Sequence, residues 1–325
     1  MKKKDLHDIF IEELQNRGIK KADLVYLISD ILKLEKESAY RRLAGKVNFS
    51  VREMGILAKA LNISLDSLLY QDLGLQWVPV ILGLPSAYHS MDSLYDLMES
   101  NIAKVKEISL DEVNETGNVY HALPLECYVH SPVLMKFMFF KWGSYFVQSE
   151  EFSDFASWEP PSRLFKIAEN FYNIYNFQKG FYVWDNALIW NISKEILNFY
   201  KMRIINTQEK NEIKNELKEF LLKLEMFLNE TYTPKFALPP DYKFYVSAMN
   251  LGFSTSYFTS SKQSLALFQT NFSFSMITDS NDKFKKMQEW IRSFCKLSTL
   301  FSEGGRIERR LFFNKQHKII DEILE

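Results

Sequence analysis

Arg41 and Arg42 stand side by side in a short segment that also carries Lys36, Glu37, Ser38, Lys46 and Asn48. A guanidinium offers a planar fork of N–H donors that fits guanine O6 and N7 bidentately, worth roughly 1–3 kcal/mol of discrimination between bases. Lysine and asparagine suit phosphate oxygens, which set position along a duplex and carry no sequence information. Between residues 31 and 59, seven basic side chains (Lys33, Lys36, Arg41, Arg42, Lys46, Arg52, Lys59) face three acidic ones (Glu35, Glu37, Glu53). Contact with a polyanion needs such a local excess. Glu37 is unfavourable beside phosphate unless it accepts from a cytosine N4 amine. Adjacent arginines also suit a solvated helix face, and a helical head also suits protein docking; both alternatives stay open.

Elsewhere the chain is poor in recognisable chemistry. His121, Glu126, Cys127 and His130 form the one histidine–cysteine cluster, but no second pair sits at zinc-ligand spacing. They read as ordinary strand or loop side chains, and nothing marks Cys127 as an activated nucleophile. Ser302-Glu303-Gly304-Gly305-Arg306 lacks the lysine-serine/threonine ending of a phosphate loop and reads as a turn between helices. Arg306, Arg309 and Arg310 then share one basic helix end, solvated or anion-binding. No dinucleotide, phosphate-loop, zinc-protease, nucleophile-elbow or calcium-loop pattern occurs. The expectation is a protein with no catalytic residues, no metal and no cofactor. Ten aromatic residues, among them Phe171, Tyr172, Tyr175, Trp190 and Tyr200, crowd between positions 171 and 200. They suit a core, then an interface, then the wall of an effector pocket.

The candidate contact residues must be held by short helices. Leu6, Ile9, Phe10 and Leu14 make one apolar stripe that stops at Asn16-Arg17-Gly18, and Leu24, Leu27, Ile28 and Ile31 make a second. A break at 33–37 precedes a short segment, 38–44, that ends at Gly45. Ser50-Val51-Arg52-Glu53 is a capping box that opens a fourth helix, and Ser64 caps a fifth. The apolar, proline-punctuated stretch 77–85 is predicted to pack on the body. Beyond it, helices are predicted near 89–106, 132–147, 162–177, 185–204, 207–230, 282–300 and 306–324. Four strands are predicted near 242–249, 253–259, 264–268 and 272–278. The fold class predicted is mainly α with a small antiparallel sheet. Residues 1–72 form a five-helix head and 73–325 a larger α+β body, with a subdivision near 235–240.

The 325 residues are long enough for about two domains. With 46% hydrophobic and 25% charged residues, the chain can bury a core. The net charge of -1 excludes a polybasic tail and an acidic disordered chain. Charge is nevertheless uneven, at +3 over 1–70, -9 over 71–162 and +5 beyond. Two distant cysteines, Cys127 and Cys295, exclude a disulfide framework. The charged start is no secretory signal, and the most apolar window, 132–147, is broken by Lys136 and Lys141. A cytoplasmic protein without a membrane segment is expected.

Residues 28–34 and 38–46 resemble the helix-turn-helix core of the Cro/C1-type (XRE) family, and 58–69 is similar to that family's fourth-to-fifth helix signature. The likeness covers about residues 5–70. The turn is about one residue longer than the family's, and one residue is missing between Leu43 and Gly45. The resemblance implies a lambda-repressor-like head that lays one helix in the major groove. It places Tyr40 and Leu43 inward, and Glu37, Ser38, Arg41 and Arg42 towards bases. Lys36, Lys46 and Asn48 then flank the groove. The resemblance also implies a transcription regulator that binds double-stranded DNA as a homodimer, with a body that dimerises and takes a small-molecule or peptide effector. The rival is a non-catalytic interaction or scaffold protein whose head keeps only the fold.

Overall fold

The computed structural model describes residues 5–61, 63–69, 81–83, 90–147, 149–173, 177–229, 241–270, 273–277 and 281–325. The chain divides into two compact units, Met1–Ile81 with Ile277–Lys285, and Leu82–Met276 with Lys286–Glu325.

The first unit holds five helices: α1 (Leu6–Gln15), α2 (Lys21–Leu32), α3 (Lys36–Leu43), α4 (Val51–Leu61) and α5 (Leu65–Leu69). Each is short, so packing of an apolar face rather than intrinsic propensity must hold it. Phe10, Leu14, Leu24, Ile28, Leu43, Leu57 and Leu68 meet in one core. Asp5 caps α1 by accepting from the Asp8 amide at 2.9 Å. The capping box at the start of α4 forms in both directions, Ser50 N to Glu53 Oε2 at 2.8 Å and Glu53 N to Ser50 Oγ at 3.2 Å.

The second region follows in the order β1 (Ile81–Gly83), α6 (Met91–Ser109), β2 (Asn114–Tyr120), α7 (Leu125–Tyr128) and α8 (Pro132–Phe146). A 3-10 turn at Glu150–Phe152 leads to α9 (Ser162–Asn173), β3 (Lys179–Trp184), α10 (Leu188–Lys201) and α11 (Thr207–Leu228). Then come β4 (Asp241–Ser247), β5 (Ser254–Ser260), β6 (Ser264–Thr270), β7 (Ser273–Ile277), α12 (Asn281–Lys296), β8 (Ser298–Leu300) and α13 (Arg306–Ile323).

Six strands lie in the order β6-β5-β2-β3-β4-β8, with β7 and then β1 continuing beyond β6. β2, β3 and β4 are parallel neighbours, with Thr116 opposite Gly180 and Phe181 opposite Lys243. The β2–β5, β5–β6 and β4–β8 pairs are antiparallel. The sheet is therefore mixed, which corrects the expected small antiparallel one. The cause is connectivity: α7 to α9 link β2 to β3, and α10 with α11 link β3 to β4. Long helical crossovers return the chain parallel, whereas tight hairpins cannot.

Strand β2 escapes sequence reading because Asn-Glu-Thr-Gly-Asn is polar. Its buried side chains are satisfied inside the sheet: Thr116 Oγ1 donates to Tyr257 O at 3.0 Å, and Asn118 Nδ2 to Thr116 Oγ1 at 3.1 Å. Gly117 is required there, since a Cβ would strike the rings of Tyr257 and Phe181 on both neighbouring strands. Helix α8 is apolar on most sides and enclosed, with Phe137 and Phe140 fully buried against Phe199. Its Leu134 amide donates to Glu216 Oε2 of α11 at 2.8 Å, which satisfies one orphan donor of the first turn. The predicted stretch 77–85 lies outside the described residues except for β1, and the predicted subdivision at 235–240 lies wholly outside them. No helix among the described residues is long and apolar enough to cross a membrane.

Candidate nucleic-acid interface

The turn between α2 and α3 is built by the backbone. Lys33 takes the left-handed conformation (φ 55°), the Leu34 amide donates to Ser29 O at 3.1 Å, and Ser29 Oγ donates to Leu34 O at 2.6 Å. The next helix, α3, is held from behind by Ala39 and Leu43, one turn apart and 0% and 2% exposed. Lys36, Glu37, Tyr40 and Arg41 lie outward and exposed. Tyr40 is 40% exposed, so it does not take the inward position expected of it; the small Ala39 does. Ala39 and Leu43, four residues apart, share the packed face, and Tyr40, one residue on from Ala39, is turned about 100° from it to the edge of that face.

Two lysines sit over tyrosine rings. Lys36 Nζ lies 4.0 Å from the Tyr26 ring centroid, and Lys21 Nζ lies 5.5 Å from that of Tyr40. Such cation–π contacts orient flexible lysines without neutralising them. Tyr26 is itself 55% exposed on α2. Sequence reading passed over it, although the stripe Leu24, Leu27, Ile28, Ile31 leaves position 26 facing out. Gly45 is left-handed (φ 69°) and ends α3, where Lys46 N donates to Arg41 O at 2.9 Å. Lys46 and Asn48 are exposed in the α3–α4 connection, and Ser38 is half-buried.

Arg42 differs from its neighbour. It pairs with Glu53, Nη2 to Oε1 at 2.9 Å and Nε to Oε2 at 3.2 Å, and donates to Ser38 O at 3.3 Å. Its guanidinium ties α3 to the capping box of α4, so Arg41 carries the outward guanidinium alone. Burial of Glu53 pushes its carboxyl up, but the Ser50 amide, the Arg42 guanidinium and the Ser50 hydroxyl together hold it below its usual value.

In the second unit, His121, Glu126, Cys127 and His130 are not among the groups that converge as metal ligands do among the described residues. His121 Nδ1 lies 2.9 Å from Ser254 Oγ, and Tyr120 Oη donates to Glu126 Oε1 at 2.9 Å. Burial, then the Glu126 charge, push the Cys127 thiol well up, away from a reactive thiolate. Among the described residues, one group of carboxylates and histidines converges as metal ligands do, Asp5, His7 and Asp8, where Asp5 is already the α1 cap. The Gly304-Gly305 turn joins β8 to α13. Arg309, expected on a basic helix end, is buried and donates to Asn229 Oδ1 at 3.1 Å and Phe301 O at 2.6 Å. Of the aromatic crowd, Phe177, Tyr182, Trp184 and Phe199 are core, whereas Phe171 and Trp190 line a cavity of about 1130 Å³.

Residues 6–92 match the family model of the BetR domain. This corrects the expected membership of the Cro/C1-type (XRE) family. The segments that carried that likeness, 28–46 and 58–69, encode inward apolar spacing, a glycine stop and short amphipathic helices. Packing and capping impose those features on any small helical head, so they do not separate one family from another. No curated protein and no solved structure matches the chain.

Proposed function

We propose that the N-terminal unit binds double-stranded DNA and that the protein is a transcription regulator. One observation carries the reading: α3 presents Lys36, Glu37, Tyr40 and Arg41 outward, while Ala39, Leu43 and the Arg42–Glu53 pair fix it from behind. A major groove about 12 Å wide admits one such helix. Arg41 is assigned to a guanine edge and Glu37 to a cytosine amine. Lys36, Lys46 and Asn48 are assigned to phosphates, with Ser38 at the edge of the contact. The BetR-domain match supports a regulatory DNA-binding role for this part of the chain.

The second unit is assigned dimerisation and effector sensing, with no catalysis and no cofactor, in the cytoplasm. One short helix reads few base pairs, so two copies on half-sites about 34–36 Å apart supply specificity. An effector that binds one arrangement of the dimer better shifts the population between arrangements and hence the affinity for the operator.

The test selects bound sequences from a random duplex library with the wild type and with Arg41→Ala, then titrates the selected pool against salt. A palindromic motif that Arg41→Ala loses, with affinity falling steeply as salt rises, supports the reading. Absence of enrichment, with no binding even at low salt, overturns it. The exposed rings of Tyr26 and Tyr40 favour a second reading, a protein-docking face, because such interfaces are enriched in tyrosine. In that case Tyr26→Ala with Tyr40→Ala removes a protein partner, and salt has little effect.

A further inference from the structure

Protein interiors pack as densely as organic crystals and keep few voids larger than a water molecule. The second unit carries a pocket of about 1130 Å³ that is open to solvent on one side, so it is a cleft between packed elements and not an interior void. Small-molecule sites usually measure about 300–1,000 Å³ and combine apolar walls with a few placed polar groups. Leu94, Met98, Val105, Phe139, Trp142 and Phe258 belong to its apolar wall. They come from α6, α8 and β5, so the space is framed by regular elements and not by one loop.

The polar lining decides what kind of molecule fits. Lys141 is paired with Glu195 at 2.7 Å. Asp185 accepts from the Ala187 amide at 2.7 Å and the Leu251 amide at 2.6 Å. Glu126 accepts from Tyr120 Oη at 2.9 Å, and Lys194 Nζ lies 5.4 Å from the Trp190 ring centroid. The Lys141–Glu195 pair, Asp185 and Glu126 already have protein groups to answer them, and Lys194 rests on the Trp190 ring without being neutralised. An ionic ligand at Lys141, Asp185 or Glu126 would break one of those contacts and leave a buried charge unpaired, which costs several kcal/mol. Asn101 is different: it lines the cavity, and its buried Oδ1 accepts no hydrogen bond. An unsatisfied buried acceptor costs about 1–3 kcal/mol and invites a donor.

We infer that this cavity binds an uncharged, largely apolar small molecule whose N–H or O–H group donates to Asn101. The site deepens the effector reading above, and its regulatory role rests on that reading; the binding itself does not.

The probe is N-phenyl-1-naphthylamine, a neutral, apolar fluorophore with one N–H, added to the full chain. Its N-methyl derivative lacks the donor and serves as the control. Saturable binding of one probe per chain is expected. Asn101→Leu removes the acceptor at similar size and is expected to weaken the N–H probe roughly tenfold while leaving its N-methyl derivative unchanged. Met98→Trp fills the space from a half-buried position and is expected to abolish binding of both probes. Thermal melts check that each variant folds, and if Met98→Trp does not, the Asn101→Leu comparison decides. Absence of saturable binding, or equal affinity of wild type and Asn101→Leu for the N–H probe, overturns the assignment. Duplex binding measured on the same samples separates the two readings. Probe binding without duplex binding sinks the regulator and keeps the site; the reverse sinks the site alone.

Discussion

Arg41 and Arg42 are chemically identical neighbours in different surroundings, one exposed and one paired with Glu53, because successive residues on a helix point about 100° apart. Arg42→Ala leaves Glu53 partly buried without its cation, and a charged hydrogen bond of this kind is worth about 1.5–3 kcal/mol. A lower thermal midpoint of the full chain is the expected outcome. Arg41→Ala should leave the stability within about 0.5 kcal/mol of wild type and still weaken the selected duplex by roughly 1–3 kcal/mol. If both variants lost the same stability, the division of labour would be wrong. The same pair sets a pH response. Glu53 titrates below its usual value in the folded chain, so the stability it contributes is complete above the ordinary glutamate range. That contribution drains away as pH falls through the lowered folded value. Denaturant titrations at several acidic pH values should show a shallower loss for Glu53→Gln, which cannot titrate.

At the scale of elements, the sheet centre depends on a residue without a side chain. Gly117 of β2 faces Tyr257 of β5 and lies beside Phe181 of β3. Those rings occupy the space a Cβ would take. Gly117→Ala forces rings or strands apart, and overpacking of this type costs typically about 1–3 kcal/mol. A lower denaturation midpoint is expected, and an unchanged one would mean that the strands give way freely. Around the same rings, Arg292 of α12 donates to Glu115 Oε1 and Oε2, each at 2.6 Å, and Nε to Tyr257 Oη at 3.1 Å. The side chains of β2 thus bind both its neighbouring strand and a helix. A strand this polar is held by partners distant in sequence.

At the scale of the molecule, the proposed regulator must read a duplex through two copies. Each lysine that neutralises a phosphate adds about 0.9 to the slope of log affinity against log salt. Lys36→Gln, outside the core and stacked on Tyr26, should lower that slope by about 1 per head and weaken all sequences alike. Half-site spacing is the second lever. Heads on opposite sides of a two-fold axis require a spacing near one helical turn, so inserting half a turn into the selected operator should abolish tight binding. Unchanged affinity on the altered spacing would leave the head reading DNA as a single copy.

The head was largely legible from its residues, because what holds it is local. Glycine stops, the Ser50–Glu53 box and apolar residues three and four apart act within a turn or two of helix, and five helices follow from them. Arg41, Lys36, Lys46 and Asn48 fall outside because the inward positions are so clearly marked. The match of residues 6–92 to the BetR domain did not follow from the same signals, since they record packing and not descent. Tertiary structure alone decided that Ala39 and not Tyr40 faces inward and that Arg42 belongs to Glu53. It also decided that a polar run, 114–120, forms the middle of a mixed sheet. For Arg42 and for the polar strand the deciding partner sits 11 to 142 residues away along the chain, as Arg42 does from Glu53 and Tyr257 from Glu115. The cavity belongs to the same class. Its walls come from α6, α8, α10 and β5, and no window of sequence contains a space that only their packing encloses.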